Sequence, residues 1–170
     1  MTPFEWEKLK NYKKGEFVYP DLINKNFLRK LDRATTVIKN YWMDKHKQKL
    51  SFNIISDCDP TGLAHVKKKT ENLPKGQWSR HYDPYYDAVD LYIKINDTFV
   101  ILPADEQFIL ISQFSFGGVG FYPFNKHTPG LHIDDRPWEK YKRSTWWRDS
   151  KGNYKEVYDY FENRLDYKSI

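Results

Sequence analysis

The chain has 170 residues, a formal net charge of +5 and a single cysteine, Cys58, a length that suits one domain with a core able to fold without staples. One cysteine excludes an internal disulfide and a cysteine-built zinc site, so any metal must be held by His and carboxylates. The basic balance favours an anionic partner without choosing among nucleic acid, a membrane surface and a cell-wall polymer.

Residues 1–21 scatter Phe4, Trp6, Tyr12, Phe17 and Tyr19 among lysines and read as an ordered arm lying over the domain. They lack the apolar stretch of a secretory signal, and no later stretch is apolar enough to span a bilayer, so the expectation is a chain made in the cytoplasm with no transmembrane segment. From 24 to 42, Phe27, Leu28, Leu31, Ala34, Ile38 and Tyr41 recur at three and four residues behind Asn24 as N-cap, which predicts an amphipathic helix. Leu50 to Ser56 alternates and then turns continuously apolar, predicting a buried strand. Asp57 opens a turn-rich exit. Residues 64–76, with Lys67, Lys68, Lys69 and Lys75, read as a short helix and a loop over the site; as a nucleic-acid signal such a lysine run is weak.

A second strand is predicted over Ala88 to Ile95, and a helix over 104–114, with Pro103 at its start and Asp105 and Glu106 in its first turn. Gly117, Gly118 and Gly120 predict a tight turn that runs close to other backbone, before the strand GLHID. After Pro137 a turn is expected at 150–153, then a C-terminal helix through Tyr158, Phe161 and Leu165. The fold class is therefore α+β: one domain over 22–150, preceded by the arm and followed by a helix in 151–170 that packs on the same domain. The expected sheet is small and mainly antiparallel, with flanking helices.

The chemistry concentrates in 117–136. His132, Asp134 and Arg136 alternate along an extended segment, so their side chains leave one face. His81 and Asp90 bracket an aromatic loop upstream, and Asp90 interrupts an apolar strand, where a carboxylate is costly unless paired or metal-bound. A hydrolytic zinc site takes three protein ligands from His and Asp/Glu and leaves the fourth position to water; His81, Asp90 and His132 meet that count. Asp134 is the expected proton-carrying carboxylate, with Asp135 and Asp87 as substitutes, and Arg136 the expected stabiliser of an oxyanion or a substrate carboxylate. The plainer alternative for Asp134 and Arg136 is a salt bridge that ties a strand end.

Set in order, the motifs are S-x-H at Ser79 and His81, A-x-D at Ala88 and Asp90, G-G-V-G-x-Y-P at 117–123, H-x-D-x-R at His132, Asp134 and Arg136, and the pair Trp146 and Trp147. This order resembles the zinc D-Ala-D-Ala carboxypeptidase and peptidoglycan endopeptidase family, peptidase M15, in its phage-associated branch, over roughly residues 22–150. The resemblance implies the DD-peptidase (hedgehog-like) fold, zinc held by His81, Asp90 and His132, and a peptide of bacterial peptidoglycan as substrate. The protein would then act on the bacterial cell wall or travel in a phage particle, with no nucleic-acid partner.

The chain departs from the family pattern in three places. Two extra residues lie between His81 and Asp90, with Tyr86 where the family has glycine and Asp87 as a possible substitute ligand. The strand that often ends S-G-Y-R in the family ends Ser56-Asp57-Cys58-Asp59, which removes the arginine for a terminal carboxylate and favours an endopeptidase over a D,D-carboxypeptidase. No Glu precedes His132. The rival from another class is a catalytically inactive relative that serves as a binding or structural module of a phage particle.

Overall fold

The computed structural model describes residues 4–57, 80–81, 85–96, 98–124, 129–137 and 143–165. Cys58, Ser79, the basic segment 64–76 and the last residues after 165 lie outside them.

Helix α1 spans Lys25–His46, and the Asn24 side chain caps it by accepting from the backbone N–H of Asn26 and Phe27 at 3.0 and 3.2 Å. Its apolar stripe, Phe27, Leu28, Leu31, Ala34 and Ile38, is buried, as the spacing predicts, but it continues through Trp42, and Tyr41, expected in the stripe, is exposed. The arm lies along this helix. Asp32 of α1 is buried and accepts the backbone N–H of Lys10 and Asn11, while the Tyr12 hydroxyl pairs with Thr35 at 2.8 Å. Tyr12 and Phe17 thereby join the core.

Six strands follow: β1 (Leu50–Ser56), β2 (Ala88–Ile95), β3 (Gly118–Tyr122), β4 (Gly130–Asp134), β5 (Ser144–Arg148) and β6 (Tyr154–Glu156), with helices α2 (Ala104–Ser112) before β3 and α3 (Val157–Leu165) after β6. They form one mixed sheet in the order β1-β2-β4-β3-β5-β6. Four of the five strand pairs are antiparallel, and β3 with β5 is parallel. The whole is a single small α+β domain. Among the described residues no helix is long and apolar enough to cross a membrane.

Register fixes what each face carries. Leu91, Leu131 and Phe121 stand side by side across β2, β4 and β3, as do Val89, Ile133 and Val119, and all are fully buried. The helices pack on this face through ring contacts: Phe27 meets Phe116 at 6.1 Å, Phe108 meets Phe121 at 5.1 Å, and Phe161 meets both Phe108 and Phe121. The C-terminal helix thus docks as expected. The alternate residues form two polar rows on the other face: Asp90, His132, Gly120 and Trp146, and beside them Ala88, Asp134, Gly118 and Ser144.

The glycine expectation is corrected here. Gly118 and Gly120 do not turn the chain; they lie inside β3. A Cβ on Gly118 would sit 2.5 Å from the Asp134 carboxylate, and one on Gly120 2.2 Å from the Trp146 indole. At Gly118 and Gly120 the close neighbours are thus side chains, whereas Gly117, where a Cβ would sit 1.7 Å from the Arg136 carbonyl oxygen, makes the expected approach to other backbone.

Candidate metal centre

Three ligand atoms converge on the polar face. His132 Nδ1 is 2.9 Å from Asp90 Oδ1 and 3.3 Å from His81 Nε2, and His81 Nε2 is 3.6 Å from Asp90 Oδ1. His132 and Asp90 face one another across the β2/β4 ladder, and His81 approaches from the loop before β2. Both imidazoles are buried, and His81, Asp90 and His132 together can hold a metal ion.

The proton inventory fits that group. His81 Nδ1 bonds to the backbone carbonyl of Asp57 and His132 Nε2 bonds to Asp134 Oδ2 at 3.0 Å, so each ring donates at its back and turns the lone pair of its other nitrogen to the centre. When both rings are neutral, as a bound cation requires, two nitrogen lone pairs and a carboxylate oxygen face each other with no donor between them. Ligand atoms about 2.1 Å from a tetrahedral metal are roughly 3.4 Å apart, close to the separations here.

Electrostatics point the same way. Burial disfavours the ionised form of Asp90, yet hydrogen bonds and charge from His132 and His81 outweigh it and hold the carboxyl well below the usual carboxylate range. For His132 burial works against the cation, while Asp134 and Asp90 outweigh it and raise the ring to about 9 in the metal-free protein. An anionic pair that drives a proton onto His132 would serve a cation equally well.

Asp134 sits at the other ring nitrogen of His132. It is fully buried and accepts from the Arg136 backbone N–H at 3.0 Å and from Arg136 Nε at 2.8 Å, with a further bond from the guanidinium terminus. Burial opposes its ionised form, but His132 and Arg136 hold it well below the usual range. The structure therefore places Asp134 as a support for His132 and in the salt bridge that was the plainer alternative. Arg136 follows the end of β4, and its guanidinium lies 5.1 Å from the Trp146 ring.

The two substitute carboxylates stand outside the cluster. Asp87 takes a bidentate bond from Arg80, with Nε at 2.6 Å, and its N–H reaches the Arg80 carbonyl. This clamp closes the longer loop between His81 and Asp90 and takes up the Asp87 carboxylate, so the carboxylate that faces the two imidazoles is that of Asp90. Tyr86, where the family pattern has glycine, adopts a left-handed φ of 46°, the conformation that favours glycine. Asp135 pairs with Lys30, which also donates to the Ser115 carbonyl at 2.9 Å.

Two contributors escaped the sequence reading. Asp57 acts through its backbone carbonyl, which no residue type reveals. Tyr122 was legible as the next residue on the Gly118–Gly120 face. Trp146 hydrogen-bonds its hydroxyl, and burial, then the charge of Asp90, pushes the phenol well above its ordinary value, so it stays a neutral donor. An indole N–H can only donate, so Tyr122 accepts from Trp146 and keeps its own proton.

No protein-family model, curated protein or solved structure matches this chain.

Proposed function

We propose that the chain is a zinc-dependent peptidase that cuts peptide bonds of bacterial peptidoglycan, as an endopeptidase, in phage lysis or as part of a virion. The observation that carries the reading is the convergence of His81 Nε2, His132 Nδ1 and Asp90 Oδ1, with both rings tied at their backs. Two imidazoles and one carboxylate are a hydrolytic zinc donor set that leaves a position open. The wall substrate rests on the motif order from S-x-H to H-x-D-x-R, and Asp59, in place of the family's arginine, supports an endopeptidase.

Zinc held there supplies Lewis acidity, which activates water near neutral pH and polarises a carbonyl. The chain's own residues do the rest. The Asp57 carbonyl and the Asp134 carboxylate fix the two rings, and Arg136 keeps Asp134 ionised. Tyr122 offers its proton to a peptide carbonyl oxygen on the open face, where Trp146 fixes the hydroxyl.

Elemental mass spectrometry of purified protein, paired with release of new amino groups from isolated peptidoglycan, tests this. About one zinc per chain and cleavage are expected for the wild type, and both are lost in His132→Ala. No zinc after zinc is supplied, or full cleavage by the variant, overturns the reading. One observation favours the inactive-module alternative: Asp87, Asp134 and Asp135 all spend their carboxylates on basic partners. Zinc binding without cleavage would select that alternative.

A further inference from the structure

Arg136 and Arg148 approach the polar face from the ends of β4 and β5. Arg136 commits Nε and a terminal nitrogen to Asp134. Arg148 lies two residues beyond Trp146, on the same side of β5, and is exposed. Its Nε donates to the Gly152 carbonyl at 3.2 Å, and its guanidinium lies 5.7 Å from the ring of Tyr154, its partner across the β5/β6 ladder. These two contacts orient the fork and leave both terminal nitrogens without an acceptor among the described residues. The neighbouring carboxylate, Asp149, accepts the backbone N–H of Lys151 and Asn153 and pairs with Lys155. Glu156 stands opposite Trp146 rather than Arg148 and makes no ion pair among the described residues.

Register sets this fork beside the metal centre. Gly120 pairs with Trp146 and Phe121 with Trp147, so the next residue of β3, Tyr122, comes alongside Arg148. The positive charge of Arg148 acts on the Tyr122 hydroxyl, as the negative charge of Asp90 does from the other side. Tyr122 therefore stands between the metal centre and Arg148. Two strand spacings and two residues of rise put the Arg148 Cα roughly 12 Å from that of His132, a span that an extended peptide covers in about four residues. We propose that Arg148 grips a free carboxylate of the wall peptide, within about four residues of the bond that is cut, and so selects which peptide the site accepts. The proposal takes its substrate from the peptidase reading. A guanidinium with both terminal nitrogens free matches a carboxylate through two parallel bonds, and an amide at the same place offers one uncharged acceptor and repels with its own donors.

Wall peptides carry free carboxylates in two places, on γ-linked D-glutamate and at a C-terminal D-alanine. The test uses the zinc-supplied full chain and the synthetic peptide L-Ala-γ-D-Glu-L-Lys-D-Ala-D-Ala, with the D-glutamate and the terminal carboxyl amidated one at a time. Affinity is read by calorimetric titration, or as KM where the peptide is cut. Wild type is expected to bind the free acid roughly tenfold more tightly than one of the two amides, which identifies the carboxylate held. R148Q should bind acid and amide alike, at the affinity wild type has for that amide, with unchanged melting and zinc content. K155Q removes the same charge from the other side of the sheet, where Lys155 lies 5.6 Å from the Trp147 ring, and should keep the preference. Zinc content and cleavage report separately on the peptidase reading, since the comparison of acid with amide needs binding alone. Equal binding of the acid and both amides by wild type, a preference that survives in R148Q, or no binding by wild type overturns the proposal.

Discussion

The two faces of the sheet are built from the same strands and differ by one residue of register. On one face Leu91, Leu131 and Phe121 lie in a row that is fully buried under helices; on the other, Asp90, His132 and Gly120 lie in a row that ends at Trp146. The apolar row holds the fold, since its burial removes apolar surface from water. The polar face places two carboxylates, Asp90 and Asp134, and an imidazole in the sheet centre, where each is costly unless satisfied. Asp134 is satisfied by Arg136 and His132, and the ligand atoms of Asp90, His132 and His81 face one another. Stability and chemistry are thus separated by alternation, and substitutions should separate them too.

The largest effect should come from the apolar face. Leu131→Ala is expected to cost about 2–5 kcal/mol in denaturant unfolding through lost burial and a cavity. The protein that remains folded should still bind metal at full stoichiometry; a folded variant without metal would mean that the faces are not independent.

On the polar face, Asp134→Asn should leave the apolar core intact yet weaken metal binding by roughly 10–100-fold, because His132 loses the acceptor that aims it. Competition with a chelator of known affinity measures this, and unchanged affinity would return Asp134 to a purely structural salt bridge. Gly118→Ala pushes a Cβ into the same carboxylate, which is tied by both Arg136 and His132 and cannot move freely. A cost of about 1–3 kcal/mol is expected, together with weaker metal binding.

His132 adds a pH signature in metal-free protein. Its folded value, about 9, lies above the ordinary 6.5, so its contribution is fully present below about 6.5 and is lost as pH rises through 9. Stability of the chelated protein should fall across that window with a slope of at most one proton, about 1.4 kcal/mol per pH unit. Bound metal removes the slope, because Nδ1 can no longer carry a proton. A flat profile in chelated protein would break the assignment. As a control off both faces, Lys47, the exposed left-handed cap of α1 at φ 57°, should accept glycine with a gain of about 1 kcal/mol in thermal unfolding and unchanged metal binding.

Much of this architecture was readable from local pattern. The stripe of α1, its Asn24 cap, β1, β2, α2 and the C-terminal helix follow from periodicity and capping, which act within a few residues. The metal trio was readable because a buried carboxylate in an apolar strand and two histidines near strands are rare without a reason. What Asp134 does was not readable. Alternation puts it on the face of His132 but does not say which ring nitrogen it meets, and that depends on where His81 and Asp90 arrive from other segments. Asp87 stood in sequence as a possible substitute for Asp90, and the Arg80 clamp takes up its carboxylate.

By itself, then, the sequence determined the elements, the alternation of faces and the residue types able to bind a metal, because these depend on neighbours along the chain. The tertiary structure decided the parallel pairing of β3 with β5, the strand position of Gly118 and Gly120 beneath Asp134 and Trp146, and the carbonyl of Asp57 behind His81. Each of these depends on which distant segments meet, and a backbone carbonyl carries no side-chain identity by which it could be read in advance.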